Sequence, residues 1–179
     1  MEVNGDLLVE VLSLPEWDTN VLNLLDLCEV ERISIDEEEL SIDIEVDKYK
    51  IELEFSRLLK SEKQLGEAEQ GNIYLEQVFF DTDCLITLPF GLEIGDTTEL
   101  CIKKIFSKTK PLKRFKFPAI YTLLLKDENK KYLLDLGYTE DSDRVLIDVM
   151  INTFDINMTM EYLEPNEVPL DYKIKGSGI

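Results

Sequence analysis

Carboxylates are the side chains on which any chemistry of this chain would have to rest. The sequence has no histidine, which is both the commonest general base and the commonest metal ligand in proteins. Its three cysteines, Cys28, Cys84 and Cys101, lie far apart and form no Cys-x-x-Cys pair. Such an odd, scattered set is typical of reduced thiols in a core rather than of a disulfide framework or a zinc site. The few glycines form no phosphate-binding loop of either standard spacing.

Three groups of acids are candidates for a functional role. The densest is the run Asp36, Glu37, Glu38 and Glu39. It is interpreted as a solvated turn, a partner-binding patch or a metal site, and it lacks the alternating ligands and central glycine of an EF-hand loop. The pattern Asp81-x-Asp83 is interpreted as a turn after a strand, with a cation site or catalysis together with another acid as the alternative. The segment 140–143 is interpreted as a turn between strands. We therefore expect no enzyme activity, no cofactor and no metal.

The net charge of −19 is distributed unevenly along the chain. Residues 1–102 carry 26 acids against 6 bases, whereas residues 103–116 carry seven bases and no acid. This field repels nucleic acid and anionic lipid and attracts basic proteins, so we expect no nucleic acid and no membrane as partner. The basic segment 103–116 is interpreted as balancing the acidic field of its own domain. The alternatives are contact with an acidic partner or neighbouring subunit, and nucleic acid.

Two patterns organise the N-terminal third. Apolar residues at helical spacing predict two helices within residues 1–28, interrupted at Pro15, with Asp18 or Thr19 capping the second. A period of two then predicts a β-hairpin over residues 40–55, with Asp47-Lys48 as its turn. In that register, eight apolar residues share one buried face: Leu40, Ile42, Ile44, Val46, Tyr49, Ile51, Leu53 and Phe55.

The rest of the chain predicts further strands and one helix. Residues 57–72 are interpreted as a loop or an exposed helix, and residues 73–80 as a strand. Asp96 followed by Glu99 is typical of a helix cap and predicts a helix over 97–107. Three strands follow: Ala119 to Lys126, Lys131 to Tyr138, and one in which Val145, Ile147, Val149 and Ile151 alternate.

These elements predict an α+β fold, an antiparallel sheet with N-terminal helices and one central helix packed on it. We expect one domain over 1–179, with a flexible end near 174–179. The acidic start at Glu2 is not that of a secretory signal, and no apolar run approaches the ~20 residues that span a bilayer. The expected location is the cytoplasm.

A family resemblance begins at the third predicted strand. The segments Ile73-Tyr74-Leu75-Glu76-Gln77-Val78-Phe79-Phe80 and Leu88-Pro89-Phe90-Gly91-Leu92-Glu93-Ile94-Gly95-Asp96-Thr97 resemble small bacterial immunity proteins. Those proteins neutralise cognate toxins of polymorphic or contact-dependent toxin systems and of bacteriocins. The resemblance covers residues 40–152 in pattern and about ten residues in identity. Since these residues form a turn and a cap, it carries over no binding site.

The resemblance implies an immunity protein that occludes a cognate toxin, a basic nuclease, without chemistry. The acidic field favours the same partner independently, because complementary charge speeds association. The predicted partner-binding residues lie beside or on the solvent face of the hairpin: Asp36, Glu37, Glu38, Glu39, Asp43, Glu45, Glu52 and Glu54. The alternatives are an acidic nucleic-acid mimic that inhibits a nuclease in phage anti-defence, and a phage or secretion assembly protein. The sequence does not indicate an oligomeric state.

Overall fold

The main elements are seven strands and three helices, seen in a computed structural model. It describes residues 2–31, 33–35, 39–57, 73–127, 130–141, 144–153 and 163–170. The helices are α1 (Gly5–Val11), α2 (Thr19–Leu27) and α3 (Thr98–Lys108). The strands are β1 (Ser41–Val46), β2 (Ile51–Arg57), β3 (Ile73–Phe80), β4 (Lys113–Lys116), β5 (Ile120–Lys126), β6 (Lys131–Tyr138) and β7 (Leu146–Thr153). Short 3₁₀ turns occupy Pro89–Gly91 and Glu164–Asn166.

All seven strands form one antiparallel sheet in the order β1-β2-β3-β7-β6-β5-β4. Buried residues of all three helices share one apolar core with one face of this sheet. The predicted α+β class, with N-terminal helices and a central helix on an antiparallel sheet, is therefore confirmed. The predictions for residues 58–72 and for the end near 174–179 lie outside the described residues.

The two N-terminal helices follow the apolar pattern closely. Asn4 caps α1, its side chain accepting from the amide of Leu7 at 2.9 Å. Asp18 is the cap of α2 and accepts from the amide of Asn20 at 2.8 Å, as predicted. Val21, Leu24 and Leu25 of α2 are buried together with Cys28 at its end, whereas Leu22 is exposed.

The β1–β2 hairpin is confirmed, but its register differs by two residues from the prediction. Val46 pairs with Ile51 across a four-residue turn, in which the amides of Tyr49 and Lys50 both donate to the carbonyl of Val46. The Asp47-Lys48 turn was therefore wrong. Because a shift of two preserves alternation, the predicted apolar face survives. Val46, Ile51, Leu53 and Phe55 are buried, and Ile42, Ile44 and Tyr49 are half-buried against the core. The exception is Leu40, which precedes β1 and is 59% exposed.

The predicted cap of α3 and the predicted buried residues of β7 need correction. The helix cap is Thr97 rather than Asp96, with the Thr97 hydroxyl accepting from the amide of Leu100 at 3.4 Å. Asp96 is buried and instead accepts from the amide of Glu93 and from Lys104 Nζ, at 2.9 and 2.7 Å. The pairing of β6 with β7 shifts between Gly137 and Tyr138, which pair with Asp148 and Leu146. Leu146 therefore lies in the core and Ile147 does not.

Strand β4 was missed, because it lies inside the basic segment and consists mostly of lysine and arginine. Its Phe115 packs with Leu124, Leu133 and Leu163 in a second, smaller apolar cluster. Leu124 alternates with core residues of β5, so this cluster lies on the sheet face away from the helices. We call that side the outer face. Segment 163–170 covers its β4–β6 end, and its β1–β2 end is acidic.

Candidate acidic binding face

The outer face is built from two rows of side chains that cross the sheet. Strand pairing fixes both rows, because directly opposed residues point to the same side. The first row contains Glu45, Glu52, Phe79, Met150, Asp135, Thr122 and Phe115. The second contains Asp43, Glu54, Gln77, Asn152, Leu133, Leu124 and Lys113. Both rows begin with two acids.

Two pairs of carboxylates oppose each other directly on β1 and β2. Asp43 lies opposite Glu54, and Glu45 lies opposite Glu52. Side chains so placed have Cβ atoms about 4.5–5.5 Å apart, and like charges at this separation destabilise a sheet. Burial raises the pKa of Glu54, and the charges of Glu76, Asp43 and Glu52 raise it further against a hydrogen bond from Ser41. The acids therefore concentrate negative potential at this end of the sheet.

A concavity of about 210 Å³ lies at the end of these strands, beside the β1–β2 turn. Phe79 is half-buried there next to Glu52, its neighbour in the row. Among the described residues that line it, the one cation is Lys50, whose Nζ lies 3.0 Å from Asp47. The other acids of the lining are Glu45, Glu52, Asp81 and Asp83. Carboxylates around an aromatic ring suit a lysine or arginine side chain of a partner.

The centre of the outer face holds a fixed carboxylate. Asp135 accepts from the hydroxyl of Thr122 and, at 2.9 Å, from Asn152 Nδ2. Burial raises its pKa against those hydrogen bonds. Asp148 lies close to Gly137, where an added Cβ would approach its carboxylate to 2.2 Å. Burial and the charge of Asp81 raise the pKa of Asp148.

The structure brings four of the predicted partner-binding residues together: Asp43, Glu45, Glu52 and Glu54. Glu39 is exposed just before β1. Asp36, Glu37 and Glu38 lie outside the described residues. Sequence reasoning missed Phe79, Asp135 and Asp148 as members of this face. Asp135 did leave a signal, since it interrupts the run of leucines in β6 at an otherwise apolar centre.

Part of the basic segment is paired within its own domain. Lys104 lies 2.7 Å from Asp96, Lys108 lies 3.7 Å from Asp6, and Lys113 lies 2.8 Å from Glu167. Arg114 is buried. These pairs agree with the interpretation of the segment as a balance to the domain's own acids.

The cysteines are free thiols in apolar surroundings. Cys28 and Cys101 are buried and Cys84 is half-buried. Burial raises the pKa of Cys28 and of Cys101 to about 11, and it also raises that of Cys84. All three are therefore protonated at neutral pH.

Within the part of the chain that the structure describes, no three His, Cys, Asp or Glu side chains converge as metal ligands do. The same residues contain no helix with the length and apolar character needed to cross a membrane. No protein-family model, no curated protein and no solved structure matches the chain. The acidic β1–β2 end of the outer face is therefore interpreted from its own geometry, and we call its residues Asp43, Glu45, Glu52 and Glu54 the acidic face.

Proposed function

We propose that this protein is a cytoplasmic immunity protein that binds and neutralises a cognate basic toxin by covering its working surface. The observation that supports this most strongly is the double like-charge pairing of Asp43 with Glu54 and of Glu45 with Glu52. A sheet gains nothing in stability from this arrangement. A surface that receives a basic partner does gain, because the partner's cations relieve the repulsion on binding.

The proposed mechanism involves no bond making in this chain. The acidic face attracts the toxin through its long-range field, and this attraction acts mainly on the association rate. The concavity of about 210 Å³ beside the β1–β2 turn then receives a lysine or arginine side chain next to Phe79 and Glu52. The rigid sheet holds the carboxylates in place, so little conformational entropy is lost on docking.

The test is a double charge reversal, Asp43→Lys with Glu52→Lys. Each change replaces a like-charge pair by an opposite-charge pair, with Glu54 and Glu45 respectively, so the hairpin is preserved. The partner is first identified by affinity purification from the native host and mass spectrometry. We expect the association rate with that partner to fall at least about tenfold at low salt, and protection of toxin-expressing cells to be lost.

The matched control is Asp26→Lys with Glu140→Lys, which changes the net charge equally at two exposed acids away from the outer face. This variant should keep the association rate within about threefold of wild type, because only screened, distant charges differ. Equal losses in both variants would mean that the net charge alone attracts the partner. Unchanged binding of the Asp43/Glu52 variant would place the interface elsewhere.

A further inference from the structure

A second concavity lies on the other side of the β1–β2 turn, between α1 and segment 85–88. Its volume is about 760 Å³, within the range of sites that enclose a ligand or a peptide side chain. Lys48 and Tyr49 of the turn belong to its lining, while their neighbours Asp47 and Lys50 line the acidic concavity. The two concavities therefore flank one turn. We call the second one the α1 groove.

Leu85 gives the α1 groove an exposed apolar side chain. It is 69% exposed, more than any other exposed large hydrophobic residue of the described chain. A third concavity, of about 540 Å³, lies on the other side of Leu85 and is lined partly by Ile86 and Ile94. A leucine standing between two concavities buries its surface only when another molecule fills at least one of them.

The groove is fixed by hydrogen bonds and close packing. The amide of Leu85 donates to the carbonyl of Tyr49 at 2.9 Å, and the amide of Gly5 donates to that of Thr87 at 2.7 Å. A Cβ at Gly5 would lie 2.1 Å from the nitrogen of Pro89, so only glycine allows α1 to approach this closely. Leu85 is therefore exposed by a well-tied backbone rather than by a frayed loop.

The charge of the α1 groove indicates what it binds. Its acids are Glu2, Asp6 and Glu10, of which Asp6 and Glu10 lie about 5–6 Å apart along α1. Lys48 is the one cation among the described residues of its lining. Its Nζ is directed to the end of α2, where it bonds Glu29 at 2.6 Å and the carbonyl of Leu27 at 3.2 Å. The Asp6 carboxylate accepts from the amide of Phe90 at 2.9 Å and lies 3.7 Å from Lys108 Nζ. Among the described residues, Glu2 and Glu10 have no ion-pair partner within 4 Å, although the Glu10 charge does interact with Lys130.

We propose that the α1 groove docks a polypeptide segment of the partner that carries an apolar side chain flanked by lysines or arginines. The apolar side chain packs against Leu85, and the cations approach Glu2 and Glu10. This inference deepens the proposed function and rests on it for the identity of the partner. It predicts a composite interface in which the acidic face sets the association rate and Leu85 slows dissociation.

The first experiment uses three synthetic peptides of equal length as probes: an amphipathic leucine–lysine peptide, a serine–lysine peptide of the same charge, and a leucine–glutamate peptide. Binding is measured by fluorescence anisotropy at about 50 mM salt, where screening is weak. We expect saturable binding of the leucine–lysine peptide alone. Leu85→Ser should weaken it at least about tenfold, as expected for a central apolar contact.

The control is Leu112→Ser, which removes another exposed leucine, 42% exposed, just after α3. It should leave peptide affinity within about twofold. Equal binding of the serine–lysine peptide, or an unchanged affinity of Leu85→Ser, would overturn the proposal. So would self-association of the free protein that Leu85→Ser abolishes, because it would assign the groove to a second copy of this chain.

The second experiment separates this inference from the proposed function by using the partner purified from the host. Leu85→Ser should raise the dissociation rate at least about tenfold with little change in association, whereas Asp43→Lys with Glu52→Lys should lower the association rate. If only the charge reversal has an effect, the α1 groove is not part of the interface and the proposed function stands. If neither variant has an effect, both proposals fail.

Discussion

Lys130, between β5 and β6, directs its ammonium group to the C-terminal end of α1. Its Nζ donates to the carbonyls of Glu10 and Leu12, at 2.8 and 2.7 Å, and so satisfies the C-terminus of α1. Burial lowers its pKa to about 8, although Asp127 and Glu10 act in the opposite direction. A neutral amine still has two N–H groups, so both bonds survive deprotonation.

This lowered pKa predicts a pH dependence of stability. Between about pH 8 and the unfolded value of 10.5, the unfolded chain holds a proton that the folded chain has released, so the free energy of unfolding rises with pH. We expect wild type to gain about 1–2 kcal/mol relative to Lys130→Met across this range, after allowance for partial exposure of the amine. Urea unfolding at several pH values measures the difference.

The control is Lys131→Met, which removes an exposed lysine at the next position. Its unfolding free energy should run parallel to that of wild type over the same pH range. A wild-type curve that falls relative to Lys130→Met as pH rises would show that the folded protein holds the charged form of Lys130.

At the scale of elements, the β1–β2 hairpin combines two opposing tendencies. Its apolar alternation and turn hydrogen bonds favour the strands, whereas the opposed pair of Glu45 and Glu52 disfavours them. Glu45→Gln should therefore raise the free energy of unfolding by about 0.2–1 kcal/mol. If the carboxylates serve binding, the same change should weaken the partner complex. Urea unfolding and binding to the purified partner give the two readings.

Glu140→Gln removes the same charge from an exposed loop and serves as the control. It should change the unfolding free energy much less, because no opposed carboxylate is relieved. If both variants are stabilised alike, the gain comes from net charge, and the cross-strand geometry of Glu45 and Glu52 is irrelevant to it.

The hairpin also shows how far local pattern predicts this structure. Alternation over 40–55 identified both strands and the acidic side, since each depends only on the parity of sequence positions. The turn was wrong because Lys50 adopts a positive φ of 53°, which a two-residue turn at Asp47-Lys48 does not include. A wrong turn length of this kind leaves each residue on its predicted face of the sheet, but it changes which residues of β1 and β2 are paired.

The centre of the outer face was beyond local pattern for a different reason. Phe79 faces Met150 only because β7 pairs with β3 as well as with its sequence neighbour β6. That pairing joins strands about seventy residues apart, and it depends on tertiary packing rather than on neighbouring residues. The sequence does not predict β4 because its residues show no apolar alternation. Phe115 anchors this strand to the smaller apolar cluster.

For the whole molecule, the net charge of −19 sets the response to salt. Mutual repulsion among surplus carboxylates opposes the compact state, and added salt screens it. We expect the free energy of unfolding in urea to rise as sodium chloride increases from about 0.05 to 0.5 M. The association rate with the proposed basic partner should fall over the same range, so salt should move stability and binding in opposite directions.

A decrease in stability with salt would contradict this expectation. It would mean that attractive pairs such as Lys104 with Asp96 and Lys113 with Glu167 outweigh the general repulsion. Lys104→Met then distinguishes the two cases, because a stability dominated by attractive pairs would lose much of its salt dependence in that variant.

The two edge strands of the sheet, β1 and β4, differ in how their outer edges are covered. Beside β4, the amide of Val168 donates to the carbonyl of Arg114, and Phe115 bridges to Glu167, so that margin is covered. Within the described residues, β1 has a strand partner on one side only. An uncovered strand is a template for adding a foreign strand, and charged side chains are the usual protection against such aggregation. Asp43 and Glu45 supply that protection on β1, so replacing both acids by apolar residues should make copies of this chain adhere to one another through their β1 edges.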